Sequence, residues 1–240
     1  LARSAEDLQL AMRLCAGANP LDAAGWRLEL PPPRQRSLKD LRVAVLADSP
    51  IAPVDAEVRA RVEQVAEMLE AVGAQVSRDA LPELDLREAH DNYLGLLTAV
   101  TGGDRVKTEY RNWMIMNSKR QRIRMAWQAF FERWDILLCP IMPTTALHHD
   151  HSIDWEARTI QVNGKAQAYG DQVFWAGLAT GAYLPSTVFP TGAARDGLPI
   201  GLQAIGGEYN DYTTIEFTRL VAAELGGFAS PPAYAAPAVS

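Results

Sequence analysis

Asp196-Gly-Leu-Pro-Ile-Gly-Leu-Gln-Ala-Ile-Gly206 is the stretch whose reading decides the fold. Ile200 to Ile205 form an apolar run between turn residues, which predicts a close-packed strand entered and left by tight turns. Gly197, Gly201, Gly206 and Gly207 also invite a phosphate-cradle reading. The run lacks a Gly-Lys-Ser/Thr ending and lies within a strand rather than at a strand-to-helix turn, so the strand reading is the stronger one.

Downstream, Asp211 reads as the cap of a helix from about Tyr212 to Leu225, and the Ala/Pro-rich tail 227–240 is expected to be poorly ordered or to lie along the surface. Upstream lie a strand near Thr187-Val-Phe189, an apolar helix from Tyr169 to Ala182, and a hairpin in which Asn163-Gly164 joins Thr159–Val162 to Lys165–Gln167. Asp135–Cys139 reads as a buried strand closed by Pro140 and Pro143, with a long loop from Pro140 to Ala157. Helical patterns span 85–100 and 108–134. The second carries Tyr110, Trp113, Met114, Met116, Trp127 and Phe131, an aromatic and Met stripe of the kind that packs a core.

Nearer the start, Arg42–Ala47 and Gln75–Ser77 read as strands around a helix capped by Asp55, with Val58, Val62, Val65, Leu69 and Val72 on one face and Gly73 ending it. Strand, helix and strand in so short a span predict a parallel βαβ unit. Residues 25–36, with Trp26, Pro31 to Pro33 and several arginines, form a connecting arm. Before it, Ser4 and Asp7 resemble a capping box on a short helix that presents Leu8, Ala11, Met12 and Cys15 on one face. The first Met is Met12, inside that helix, so the expectation is a fragment, a processed chain or a sequence missing upstream residues.

At 240 residues, 48% hydrophobic and 22% charged, the chain can bury a large core. A net charge of -6 argues against nucleic-acid binding. Lys119-Arg-Gln-Arg-Ile-Arg124, the densest basic cluster, reads as a solvated helix face. No apolar run approaches the length of a membrane span, and no signal-peptide pattern opens the chain. Cys15 and Cys139, far apart and without a CxxC partner, read as buried thiols in a reducing compartment, and a cytoplasmic location is expected.

The 196–206 stretch, together with Asp171-Gln-Val-Phe-Trp-Ala-Gly-Leu-Ala-Thr-Gly-Ala-Tyr-Leu-Pro-Ser186 before it, resembles the C-terminal part of amidase-signature hydrolases. Ala2–Gly17 is similar to the helix that follows the Gly/Ser-rich catalytic segment of that family. The resemblance implies an α/β fold, an α/β/α sandwich around a mixed sheet, of which residues 1–240 are a single domain or the C-terminal portion of a larger amidase domain. It implies hydrolysis of a carboxylic amide through a serine acyl-enzyme, without metal or organic cofactor. The family's machinery, a Ser nucleophile, a second Ser with a cis peptide and a Lys, lies N-terminal to the helix at which this chain begins. No Gly-x-Ser-x-Gly elbow or Gly-Gly-Ser-Ser run occurs here, and no serine, nor any of Lys39, Lys107, Lys119 and Lys165, sits in a matching motif. No catalytic role is therefore assigned within the chain, and it is expected to be inactive alone.

Phe174, Trp175 and Tyr183 are the candidate substrate-binding residues. Composition favours core packing for them, whereas the resemblance implies that this part of the enzyme supplies walls of the substrate funnel. Asp171 and Gln172 are candidate polar edges. His148, His149, Asp150 and His151 offer metal-ligand types, but adjacent ligands lack the spacing that fixes most sites, and a polar loop explains them better. The resembling family needs no metal there. The expected partners are a small-molecule amide and an N-terminal catalytic segment of the same protein, with no nucleic acid and no membrane; a homodimer stays open. Two rival readings are a non-catalytic amidase-like scaffold and an amidotransferase-type glutamine amidase subunit.

Overall fold

The computed structural model describes residues 1–103, 107–152, 157–231 and 234. Its centre is a five-stranded mixed sheet in the order β2-β1-β3-β7-β6. Strands β1 (Arg42–Val45), β2 (Gln75–Ser77) and β3 (Ile136–Pro140) run parallel, with helix α2 (Ala56–Ala71) crossing from β1 to β2. β7 (Pro199–Ile205) lies antiparallel to β3, and β6 (Ser186–Ala193) antiparallel to β7. Every residue of β3 and all of Leu202 to Ile205 are buried, as strands covered on both faces must be. The 196–206 stretch is therefore an interior strand, in agreement with its apolar composition.

The βαβ expectation is met in register, Arg42 opposite Gln75 and Val43 opposite Val76. Asp55 caps α2 by accepting from the Glu57 N–H, and Val58, Val62, Val65 and Leu69 are buried on one face. Gly73 takes φ 93°, a left-handed turn that a side chain would strain. The β4 (Thr159–Val162) and β5 (Lys165–Ala168) hairpin turns through Asn163 at φ 51° and Gly164 at φ 72°, as a type I′ turn requires. The Asn163 side chain also accepts from the Ala56 N–H and donates to the Val54 carbonyl, tying the hairpin to the start of α2.

Buried Gln203 joins β7 to three neighbours. Its Nε2 donates to the Pro140 carbonyl at 2.9 Å and to the Trp175 carbonyl at 2.8 Å, while its Oε1 accepts from Ser186 Oγ at 2.9 Å. On the other face of the β6–β7 pair, helix α6 (Asp211–Leu225) packs Phe217 against Phe189 and Thr214 against Thr187.

Several elements differ from the sequence reading. The apolar helix expected over Tyr169–Ala182 is a short 3-10 turn at Tyr169–Gln172 followed by α5, Val173–Thr180. In α4 (Tyr110–Arg133) the stripe is core only at its C-terminal end, where Trp127, Phe130 and Phe131 are buried; Tyr110, Trp113 and Met114 are exposed. Helix α1 (Ala5–Cys15) is capped by Ser4 but buries no residue, because among the described elements it packs mainly on α6, so Cys15 is exposed. Cys139 is buried, and burial pushes its thiol far above the ordinary range. Of the tail, residues 227–231 and 234 are described and lie mostly exposed; the expectation for the remainder, and for 153–156 of the long loop, falls outside the described residues.

Asp135, at the foot of β3, is almost wholly buried and takes Arg42 Nη2 at 2.7 Å, Arg42 Nε at 3.1 Å and the Arg42 backbone N–H at 3.0 Å. Burial alone raises its pKa; the hydrogen bonds from Arg42 and the charges of Arg42 and Arg34 outweigh this and hold it below the ordinary carboxylate value. Its contribution to stability is fully present above the unfolded-state value and is lost as pH falls through the folded one. Asp135→Asn should lower unfolding free energy at neutral pH by about 1.5–3 kcal/mol. In urea titrations the gap between the two proteins should close as pH drops below about 4; a gap independent of pH would contradict the ion-pair account.

Candidate functional site

The turn that leaves α5 builds the first wall. Thr180 ends the helix, Pro185 disfavours helical backbone at Leu184, and between them Tyr183 adopts φ 59°. A bulky side chain rarely takes this conformation, which costs about 1–3 kcal/mol unless the surroundings enforce it. A second non-glycine in the same region, Tyr209 at φ 65°, follows β7 and Gly206-Gly207. An added Cβ on Gly207 would stand 3.0 Å from Phe131 Cβ, so the turn lies hard against α4.

Helix α4 brings two cations to Tyr183. Arg120 and Arg124, one turn apart on one face, hold their Cζ atoms 4.5 Å and 5.1 Å from the ring centroid. Such contacts contribute about 0.5–1 kcal/mol each at partly exposed sites. Arg124 is fixed in turn by Glu208, to which it donates through both Nε and Nη2. Arg120 donates to Asn117, has no carboxylate partner among the described residues, and leaves its buried Nε without an acceptor. The cluster expected to be a solvated face therefore turns two of its arginines toward the protein.

Tyr183, Arg124, Glu208 and Tyr209 border an open concavity of about 810 Å³, closed on the other side by Met12, Leu28 and Leu30. Asp211, the first residue of α6, lies on its rim; burial lifts its carboxyl above the ordinary value, offset in part by its own backbone N–H. The position next to it, Asn210, is the cap in place of the expected Asp211.

A second cleft, of about 770 Å³, sits at the opposite end of β7, between Ile200 and the 141–151 loop. It collects His148, His149, Asp150 and His151, all exposed, with the His149 and His151 rings 5.7 Å apart. Among the described residues no three His, Cys, Asp or Glu side chains converge as a metal site. Gln172 is buried at this cleft with Oε1 unpaired, while Asp171 is half-buried. Thr144 Oγ1 donates to the Thr145 carbonyl. The first concavity brings together both left-handed tyrosines and Arg124.

The three aromatic candidates are divided by the fold. Phe174 and Trp175 are 1% and 0% exposed, packed edge to face within the core, and the Trp175 indole N–H donates to the Ala52 carbonyl at 3.0 Å. Tyr183 is 49% exposed and faces the concavity. α5 ends at Thr180, so Trp175 lies on the helix and Tyr183 in the turn that follows it. Sequence reasoning read Arg120 and Arg124 as part of a solvated face and did not single out Glu208 or Tyr209; Gly206-Gly207 was the one signal for a close approach there. The Ser4, Ser49 and Ser77 hydroxyls serve caps and turns, Ser186 bonds Gln203 and Ser152 accepts from Arg158; none bonds a lysine or histidine among the described residues.

The sequence matches the Amidase family profile over residues 1–104 and 97–215. The chain belongs to the amidase family. It is 25% identical over 254 aligned positions to indoleacetamide hydrolase of Bradyrhizobium japonicum, covering 94% of this chain and 51% of that protein. It is 26% identical over 266 positions to a glutamyl-tRNA(Gln) amidotransferase subunit of Acinetobacter baumannii (strain AB0057), covering 88% and 51%. In fold it is similar to the corresponding glutamyl-tRNA(Gln) amidotransferase subunit of Thermotoga maritima, with a TM-score of 0.69 at 19% identity over 92% of this chain and 51% of that one. A bacterial aryl acylamidase of the amidase-signature family gives 0.66 at 18% identity, over 92% and 51%. This amidase-family chain thus spans about half the length of these relatives, and its mixed α/β architecture is theirs. No helix among its described residues is long and apolar enough to cross a membrane.

Replacing Trp175 by Ala removes a fully enclosed ring and leaves the Ala52 carbonyl unpaired. Urea unfolding should show a loss of about 3–5 kcal/mol; a loss below about 1 kcal/mol would show that the ring is not core.

Proposed function

We propose that the chain is the C-terminal portion of an amidase that cleaves a carboxylic amide C–N bond through a serine acyl-enzyme. The nucleophile and its base lie, on this reading, in a segment preceding residue 1. The observation that supports it is amidase-family membership in a chain that spans about half the length of the relatives it matches. An activated serine needs a base within hydrogen-bond reach and donors aimed at the developing oxyanion. Attack on the amide carbonyl, loss of the amine and attack by water on the acyl-enzyme would then complete the cycle, with no metal or organic cofactor required.

Relatives named as amidotransferase subunits favour a second reading, in which the amide is glutamine and the product ammonia passes to a partner protein. The stand-alone amidase reading is supported by the match to indoleacetamide hydrolase over nearly the whole chain. A cytoplasmic location fits either.

The 240-residue chain alone should not turn over a simple aryl amide, while a chain extended upstream should, and EDTA should leave that activity unchanged. Hydrolysis by the pure 240-residue chain would contradict the placement of the nucleophile. Activity lost to chelation and restored by zinc would return the His148–His151 loop to consideration as a metal site.

A further inference from the structure

Helix α3 (Leu86–Thr101) carries a polar ring into an apolar joint. Leu86, His90 and Tyr93 share one face at helical spacing, and they line its contact with α4 and α5. The approach is close. A Cβ added to Gly177 would stand 2.7 Å from the Tyr93 ring, so α5 admits α3 only because no side chain is there. His90 is 7% exposed and meets the Phe174 ring edge to face, with centroids 5.5 Å apart. Around it lie Leu86, Ile123, Trp127, Leu178 and Ala182, and the void they share, about 20 Å³, has room for about one water. The His90 Nδ1 has no hydrogen-bond partner among the described residues.

We propose that His90 is an acid-sensitive latch: the neutral imidazole lets α3 dock on α4 and α5, and protonation of the ring drives α3 off them. The latch is independent of the amidase reading. In the imidazolium both ring nitrogens donate, and Nδ1 would then carry its proton into a joint of aliphatic and aromatic groups that offers it no acceptor. No charged side chain of α4 or α5 lines the void. The charges that reach it are Arg87 and Asp91 on α3 itself and Asp171 in the turn before α5, while Glu88 of α3 is bonded to Lys119 of α4. Burial is the largest influence; with the charge of Arg87 it outweighs the two carboxylates and holds the imidazole below its ordinary value. Freed from the joint, His90 returns to the ordinary value of 6.5 and binds a proton more readily than when docked. Docking is therefore at full strength above that value and weakens as pH falls through the docked one.

The test is hydrogen exchange read by mass spectrometry on the longest chain that the gene encodes, with each rate corrected for the pH dependence of free amides. From about pH 8 to about pH 5, exchange of the α3 and α5 amides in wild type should rise by roughly tenfold while α2 keeps its protection. His90→Phe and His90→Leu, apolar fillings of different size, should each keep α3 protected at the acid end. The His90 imidazole, followed by NMR through its Cε1 proton and assigned by its absence from the variants, should titrate below 6.5. Indifference of α3 exchange to pH in wild type, an acid response that survives in a variant docked at about pH 8, or a loss that spreads equally over α2 would overturn the latch. So would a His90 midpoint at or above 6.5, a readout on wild type that stands even where neither variant docks α3.

Discussion

The carboxamide of Gln203 holds three parts of the molecule at once. Placed in the interior strand β7, it donates to the last carbonyl of β3 and to the Trp175 carbonyl in α5, and accepts from Ser186 at the start of β6. These partners lie 17, 28 and 63 positions from Gln203 in sequence, and the bonds to the two carbonyls are buried. Leaving either carbonyl unpaired would cost about 1–3 kcal/mol, so the arrangement of β3, α5 and β6 around β7 has little freedom. Cys139, level with Gln203 on β3, shares this dry environment, and burial keeps its thiol protonated and inert.

The first concavity follows from that constraint. With α5 and β6 both tied to Gln203, residues 181–185 must turn within a short, fixed span between Thr180 and Ser186. Tyr183 takes the left-handed conformation inside it. The aromatic cluster of Trp127, Phe130 and Phe131 anchors the C-terminal end of α4 in the core. Arg124 and Arg120 then stand about one and two turns before it, at the height of the Tyr183 ring. Glu208 reaches the same place because Gly207 lets the β7 turn press against Phe131. A strained backbone, a charge pair and an exposed ring thus meet at one end of the sheet through contacts made elsewhere.

How much of this could be read from the sequence depended on how local the cause was. The Asp55 and Ser4 caps, the Asn163-Gly164 turn and the buried β3 and β7 runs are set by neighbouring residues, and each was legible. The extent of α5 was not, because the apolar pattern runs on past Thr180 while the break comes from Pro185 and from the tether at Gln203. The stripe on α4 has one period throughout, but periodicity reports an apolar face and not what covers it; at Tyr110, Trp113 and Met114 the face stays exposed. Cys15 misled for the same reason. Arg124 and Glu208 are 84 positions apart, and no spacing rule links them, so their pairing beside Tyr183 emerges only once the chain is folded. The family resemblance supplied the fold class and pointed to the 171–186 segment, without distinguishing an enclosed Trp175 from an open Tyr183.

The proposed amidase reading requires a catalytic serine in a segment that precedes residue 1. The most direct measurement is to express the longest chain that the gene encodes, label it with a serine-directed phosphonate, and locate the adduct by peptide mass mapping. The account predicts a single adduct on a serine outside residues 1–240, its formation slowed by a competing amide. An adduct on a serine within these residues would contradict it.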